Sequence, residues 1–142
     1  MYDYYYELLA MLVGLALVVL IIAIPIMILF IVCYWRIFKK AGEAGWKSLI
    51  PIYSHYTMAK VAKLPYLFWA GWILGIMDGV LFSMGFVMIS WVFTAITAIV
   101  YLMIDINVGR RFGKGVGFII GMILLPIIFW PILAFDSSQY QK

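Results

Sequence analysis

The 142-residue sequence holds one histidine, His55, and one cysteine, Cys33, which limits the chemistry before any fold is considered. A zinc or iron site draws several ligands from His, Cys and carboxylates. The acid nearest His55 in sequence is Glu43, and no ligand spacing is visible, so no metal and no other cofactor is expected. A nucleophilic serine needs an adjacent base. Ser48 and Ser54 do lie with His55, Lys60 and Lys63 in KKAGEAGWKSLIPIYSHYTMAKVAKLP, residues 39–65, but such residues are equally what a chain places where it meets water. The loop FGKGVG, residues 112–117, has the glycines of a phosphate loop without the preceding strand or the GxxxxGK[ST] spacing, and reads as a turn. No enzyme is expected from these residues. Cys33 reads as a small packed residue near a helix end.

Two other patterns carry more information. Ser90, Thr94, Thr97, Tyr101 and Asp105 follow one another at helical spacing, which puts all five on one face. An ionisable group on such a stripe is a functional hypothesis when it lies within a membrane. The bland alternative is hydrogen bonding to the helix itself or to neighbouring helices, with Asp105 ion-paired to Lys60, Lys63 or Arg111. Gly71, Gly75 and Gly79, and again Gly117 and Gly121, recur every four residues, a pattern that lets helix backbones pack closely within one chain or between chains.

The elements that must position these residues follow from composition. At 68% hydrophobic and 11% charged, against roughly 45–50% and ~25% in soluble domains, the chain is an integral membrane protein. From Leu8 to Tyr34 there is no charge, a run longer than the about 20 residues that span a bilayer. Between Leu67 and Ile104 the only charge is Asp78. The start MYDYYYE is acidic and aromatic where a secretory signal is basic, so it is expected to remain in the mature chain. The fold class expected is all-α, as one transmembrane domain with helices over about 8–35, 62–78, 80–106 and 116–135. An amphipathic interfacial segment over 36–61 joins the first two, its helix opened by Pro51.

Charge sets the orientation. Both Arg36–Lys63 and GRRFGKG, residues 109–115, are rich in Lys and Arg, and short basic loops stay in the cytoplasm. An even number of crossings must separate them, with a turn expected at Asp78-Gly79. Four spans then put both termini outside, nine of ten Lys and Arg inside, and Asp3, Glu7 and Asp136 outside. Trp130 is expected at the outer interface, and Tyr34, Tyr53 and Tyr56 at the inner one. Net charge +4 here serves topology and lipid contact, not nucleic acid. Lys60, Lys63, Arg110, Arg111 and Lys114 are the expected contacts to anionic headgroups. Asp78 reads as a turn residue.

AGEAGWKSLIPIYSHYTMAKVAKLPY resembles the signature of an uncharacterised bacterial family of small four-span membrane proteins, AGxxGWxxLIPIYNxYxxxKIAxKP. NVGRRFGKGVGFIIGMILLPIIFWPILAF and the tail SSQYQK are similar to that family's basic FGK turn, LPxIFxPILxF helix and terminal QYQ. The two segments cover well over half of the chain. Ser54 replaces the usual asparagine, Asn107 a common acid, and Leu64 a glycine or lysine. Some relatives are labelled as, or fused to, signal peptidase I, but the resemblance brings no catalytic residue here. A signal peptidase works outside with a serine–lysine pair, and the expected topology leaves only Lys142 there. The resemblance implies a module of the bacterial cytoplasmic membrane. A self-associating interaction or scaffold protein, partnered with lipid, its own copies or other membrane proteins, is the first expectation. A small channel or transporter using the stripe Ser90–Asp105 is the second.

Overall fold

A computed structural model describes residues 2–142. Six helices follow in order: α1 (Tyr2–Lys40), α2 (Pro51–Val61), α3 (Pro65–Ser83), α4 (Val87–Arg111), α5 (Val116–Leu124) and α6 (Pro126–Phe135), with a 3₁₀ turn at Gly45–Leu49 before α2. Three of them, α1, α3 and α4, are long and apolar enough to cross a membrane.

Proline and the left-handed region punctuate the chain. Pro51, Pro65 and Pro126 each open a helix, where a missing amide hydrogen costs little. The residue before each is forced out of the α region: Ile50, Leu64 and Leu125 have ψ of 113°, 51° and 61°. Helix ends are closed by residues at positive φ, Gly42, Lys63, Gly85 and Gly113. In each case the next amide donates back to a carbonyl five residues earlier, as Phe86 N does to Leu81 O at 3.0 Å.

These stops move the expected boundaries. The first helix runs to Lys40 and not to 35. The second starts at Pro65 and not at 62, because Lys63 is the left-handed cap of α2. The turn between α3 and α4 falls at Met84–Phe86, so the expected turn residues Asp78 and Gly79 lie inside α3. α2 forms where Pro51 suggested, but small polar residues face inward: Ser54 and Thr57 are buried while Ile52 and Tyr53 are exposed.

The largest departure is the expected helix over 116–135, which is two short helices that fold back on each other. Phe118 of α5 and Phe129 of α6 meet edge-on with ring centroids 5.1 Å apart. A Cβ on Gly121 would run into the Phe129 ring. Lys114, before α5, is ion-paired with Asp136, after α6. At about 1.5 Å per residue, nine and ten residues reach only about half of a ~30 Å hydrocarbon core. At the tip, Leu125 N donates to Gly121 O and Leu125 O accepts from Ile128 N and Phe129 N, so the bend leaves its own polar groups paired.

The core sits at one end of the molecule, where Ile37, Phe38, Val61, Val108, Met122 and Leu133 from five helices are buried together. Away from it, α3 and α4 pack along each other, whereas α1 packs only through its C-terminal part, on α6, α2 and the 3₁₀ turn. From Asp3 to Pro25 every residue of α1 is exposed. The tail closes over the core end: Tyr140 OH donates to Val61 O (2.8 Å), and Gln141 N donates to Arg111 O (2.7 Å).

Candidate functional site

Four polar centres emerge, three of them closed by their own partners. On the α3–α4 pair, Asp78 accepts from Ser90 Oγ (2.5 Å) and Thr94 Oγ1 (2.8 Å), one hydroxyl to each carboxylate oxygen. Two expectations change together. Asp78 is an interhelical acceptor in mid-helix, and the Ser90–Thr94 part of the Ser90–Asp105 stripe points at α3. Thr97 Oγ1 is buried without a partner, and Tyr101 lies over Gly71, 3.4 Å from where a Cβ would stand. Gly75, Gly79 and Gly117 have open space at that position, so within the chain only Gly71 and Gly121 serve close packing among the expected glycines. Gly109 and Gly45 do so as well, against Ile119 and the Trp35 ring. The sequence analysis singled out neither: Gly109 falls in the same four-residue register as Gly117 and Gly121, but its contact Ile119, like the Trp35 ring against Gly45, comes from a different element.

The second centre is Glu43, bonded to Lys47 (2.6 Å) and Lys60 (2.7 Å). The Lys47 ammonium first, and Lys60 with it, holds the Glu43 carboxyl below the usual carboxylate range. Lys60, expected at a lipid headgroup and exposed on its outer side, is thus also a protein contact.

The third is Asp136. Burial works to raise its carboxyl, but hydrogen bonds from Lys114, Ser138 and Lys40 outweigh it and hold it well below the ordinary value. Lys40 Nζ also donates to the carbonyls of Leu133 (2.7 Å) and Asp136 (2.8 Å), groups that the end of α6 leaves free. Asp136 therefore sits among the basic residues and not across the molecule from them. Lys114 is a tie for this acid as well as an expected headgroup contact. Trp130 likewise is buried against Tyr34 (5.4 Å) and not at a far interface. Lys63 and Arg110 remain exposed.

The fourth centre is open. A cavity of about 150 Å³ lies between α1, α2 and α4, lined by Tyr34, Ser54, His55, Met58, Tyr101, Ile104 and Asp105. Asp105 has no ion pair or hydrogen bond among the described residues. Lys60 is taken by Glu43 and neither Lys63 nor Arg111 reaches it, which corrects the ion pair expected from sequence. His55 Nδ1 is 3.0 Å from Pro51 O, and since a carbonyl only accepts, Nδ1 carries the hydrogen and Nε2 is left as an acceptor. The imidazole stands edge-on to Tyr101 at 6.0 Å. One edge of His55 is exposed, and the low-dielectric burial of the rest holds it below its ordinary value, hence neutral near pH 7. Sequence placed Asp105 and Tyr101 on one helix face. That His55 and Tyr34 would join them was not visible, since they come from other helices.

The sequence pattern of a family of unknown function, DUF5684, matches residues 46–142, roughly two-thirds of the chain. The chain belongs to this family. The DUF5684 segment starts at Trp46, so it takes in α2 to α6, the tail and every cavity residue except Tyr34, while α1 lies before it. No curated protein and no solved structure matches the chain.

Proposed function

We propose that this chain is a non-enzymatic, self-associating interaction module of the bacterial cytoplasmic membrane. It would cross three times and send α5 and α6 in as a re-entrant hairpin. All ten Lys and Arg then lie at one end, the cytoplasmic one, with the C-terminal tail, while Asp3 and Glu7 lie at the other. The observation that carries the reading is the bare surface of the spanning helices. α1 from Asp3 to Pro25 covers about 35 Å with no residue shielded by the rest of the chain. On the α3–α4 pair, Gly75 and Gly79 leave open space where a second helix can approach closely. The hydroxyls Ser90 and Thr94 are engaged with Asp78 and not aimed at a lumen, which favours this reading over a conducting path.

Cross-linking in native membranes, followed by mass measurement in nanodiscs, tests it. A dimer or larger species is expected, weakened by Gly75→Leu and Gly79→Leu, which the open space at both positions lets the fold tolerate. A monomer at every protein-to-lipid ratio would overturn the proposal. Ion flux in liposomes that disappears in Asp105→Asn and Thr94→Val would replace it with the channel reading.

A further inference from the structure

We infer that the cavity between α1, α2 and α4 binds a primary ammonium group, held by the Asp105 carboxylate against the rings of Tyr34 and Tyr101. Ammonium binding at this place does not depend on self-association.

Charge sets the first requirement. A carboxylate at the edge of a bilayer that meets neither a cation nor a donor in its own chain is costly. Every other acid drawn into the core end has its cation: Glu43 has Lys47 and Lys60, and Asp136 has Lys40 and Lys114. Asp105 alone faces a cavity, so a counter-charge for it would come from outside the chain.

Wall chemistry then narrows the ligand. Aromatic faces beside a carboxylate attract organic ammonium through the ring quadrupole, and they discriminate against a small hydrated metal ion, which needs several oxygen ligands. Both rings are fixed. Tyr34 is wedged between Trp130 (5.4 Å, edge-on), Phe30 (6.0 Å) and the stacked Phe38 (6.2 Å). Tyr101 is seated on Gly71 and flanked by His55. Neutral His55, its Nδ1 hydrogen held by Pro51 O, adds an acceptor for an N–H and no repelling charge. Ser54, buried on α2, supplies a hydroxyl to the same wall.

Size and place narrow it further. About 150 Å³ accepts an ethanolammonium-sized group and excludes a nucleotide or a peptide. Tyr101 and His55 also line a second cavity of about 180 Å³ with Ile52 and Trp72, on the exposed apolar side of α2. That side is open both to lipid headgroups and to small soluble amines. The recognised chemistry is R–NH₃⁺, whether it arrives on a zwitterionic lipid or free.

The test uses the full chain. Thermal unfolding in detergent is followed while ethanolamine hydrochloride is titrated against sodium chloride at equal ionic strength. Native mass spectrometry then compares retention of phosphatidylethanolamine with phosphatidylglycerol. Ethanolamine is expected to raise the midpoint where sodium does not, or phosphatidylethanolamine to be retained over phosphatidylglycerol. The first result assigns a free amine, the second a lipid, and both together either source. Asp105→Asn is expected to weaken either signal about tenfold or more, as loss of a charge-assisted hydrogen bond does. Tyr101→Phe, which keeps the ring, is expected to preserve it, and Tyr101→Leu to reduce it. If the wild-type chain responds equally to ethanolamine and sodium and retains both lipids alike, the site is not an ammonium site, whatever the variants do. Binding by folded Asp105→Asn at the wild-type level would overturn the assignment as well.

Discussion

Lys114 and Asp136 are joined in an ion pair although they are 22 positions apart and a wholly apolar segment lies between them. A continuous helix would hold them about 33 Å apart at 1.5 Å per residue, so this one contact requires the chain to return to the end from which it left. Lys40 reaches the same carboxylate from α1 (3.0 Å), tying the hairpin to the first helix.

Accessibility to a membrane-impermeant thiol reagent gives the sharpest check of that return. In a Cys33→Ala background, cysteines at Arg110 and Gln139 should label from one compartment and a cysteine at Asp3 from the other. Labelling of positions 139 and 3 together, opposite 110, would restore a fourth crossing.

The Asp136 cluster predicts an acid-sensitive tail. Its carboxyl titrates lower in the folded chain than in the unfolded one, so its contribution is fully present above about pH 4, the ordinary carboxylate value. The contribution fades as pH falls through the depressed folded value. Asp136→Asn should cost about 1–3 kcal/mol near neutrality, and the gap to the wild type should start to narrow only below about pH 4 and close at the depressed folded value. Proteolysis of the segment after Phe135 is expected to accelerate in Lys40→Met, which loses the ammonium that caps α6.

Hydroxyls on the α3–α4 pair should separate by partner. Ser90→Ala and Thr94→Val each break a bond between helices and are expected to cost up to about 1 kcal/mol. Ser83→Ala removes only a bond to Val80 O on its own helix (2.8 Å) and should be close to neutral. Unfolding in mixed micelles reads all three, and a Ser83 effect matching that of Ser90 would count against Asp78 as the joint of α3 and α4.

Gly121 and Gly117 share one spacing pattern and should behave oppositely. Gly121→Val drives a side chain into Phe129, costs about 1–3 kcal/mol and opens the hairpin. Gly117→Ala meets nothing within 4 Å and should stabilise slightly by helix propensity, by at most about 1 kcal/mol. Fluorescence quenching of Trp130, buried in the wild type, reports the opening.

A stabilising change is expected at the end of α2. Lys63 closes that helix at φ 59°, a region costly for a side chain and free for glycine. Lys63→Gly should raise stability by about 0.5–1 kcal/mol, visible as a higher midpoint in thermal unfolding.

What could be read directly was whatever depends on the solvent each residue needs. The charge-free run from Leu8 to Tyr34, the basic loops and the opening of α2 at Pro51 follow from hydrocarbon on one side and water on the other, and the chain's own order displays them. Pro126, which opens α6, falls within the single helix expected over 116–135, because a proline in apolar sequence reads alike in a bent span and in a returning hairpin. Pro25 sits inside α1 without ending it. Hydropathy cannot separate the two outcomes, because both bury the same residues in the same lipid. Only contacts between distant residues decide: Phe129 seated on Gly121, Asp136 between Lys40 and Lys114, Asp78 reached by Ser90 and Thr94, and Asp105 left facing Tyr34 and His55. Hydrogen bonds and ion pairs act over about 3 Å, and which groups come that close is set by the packing of whole helices, so no local spacing along the chain encodes it.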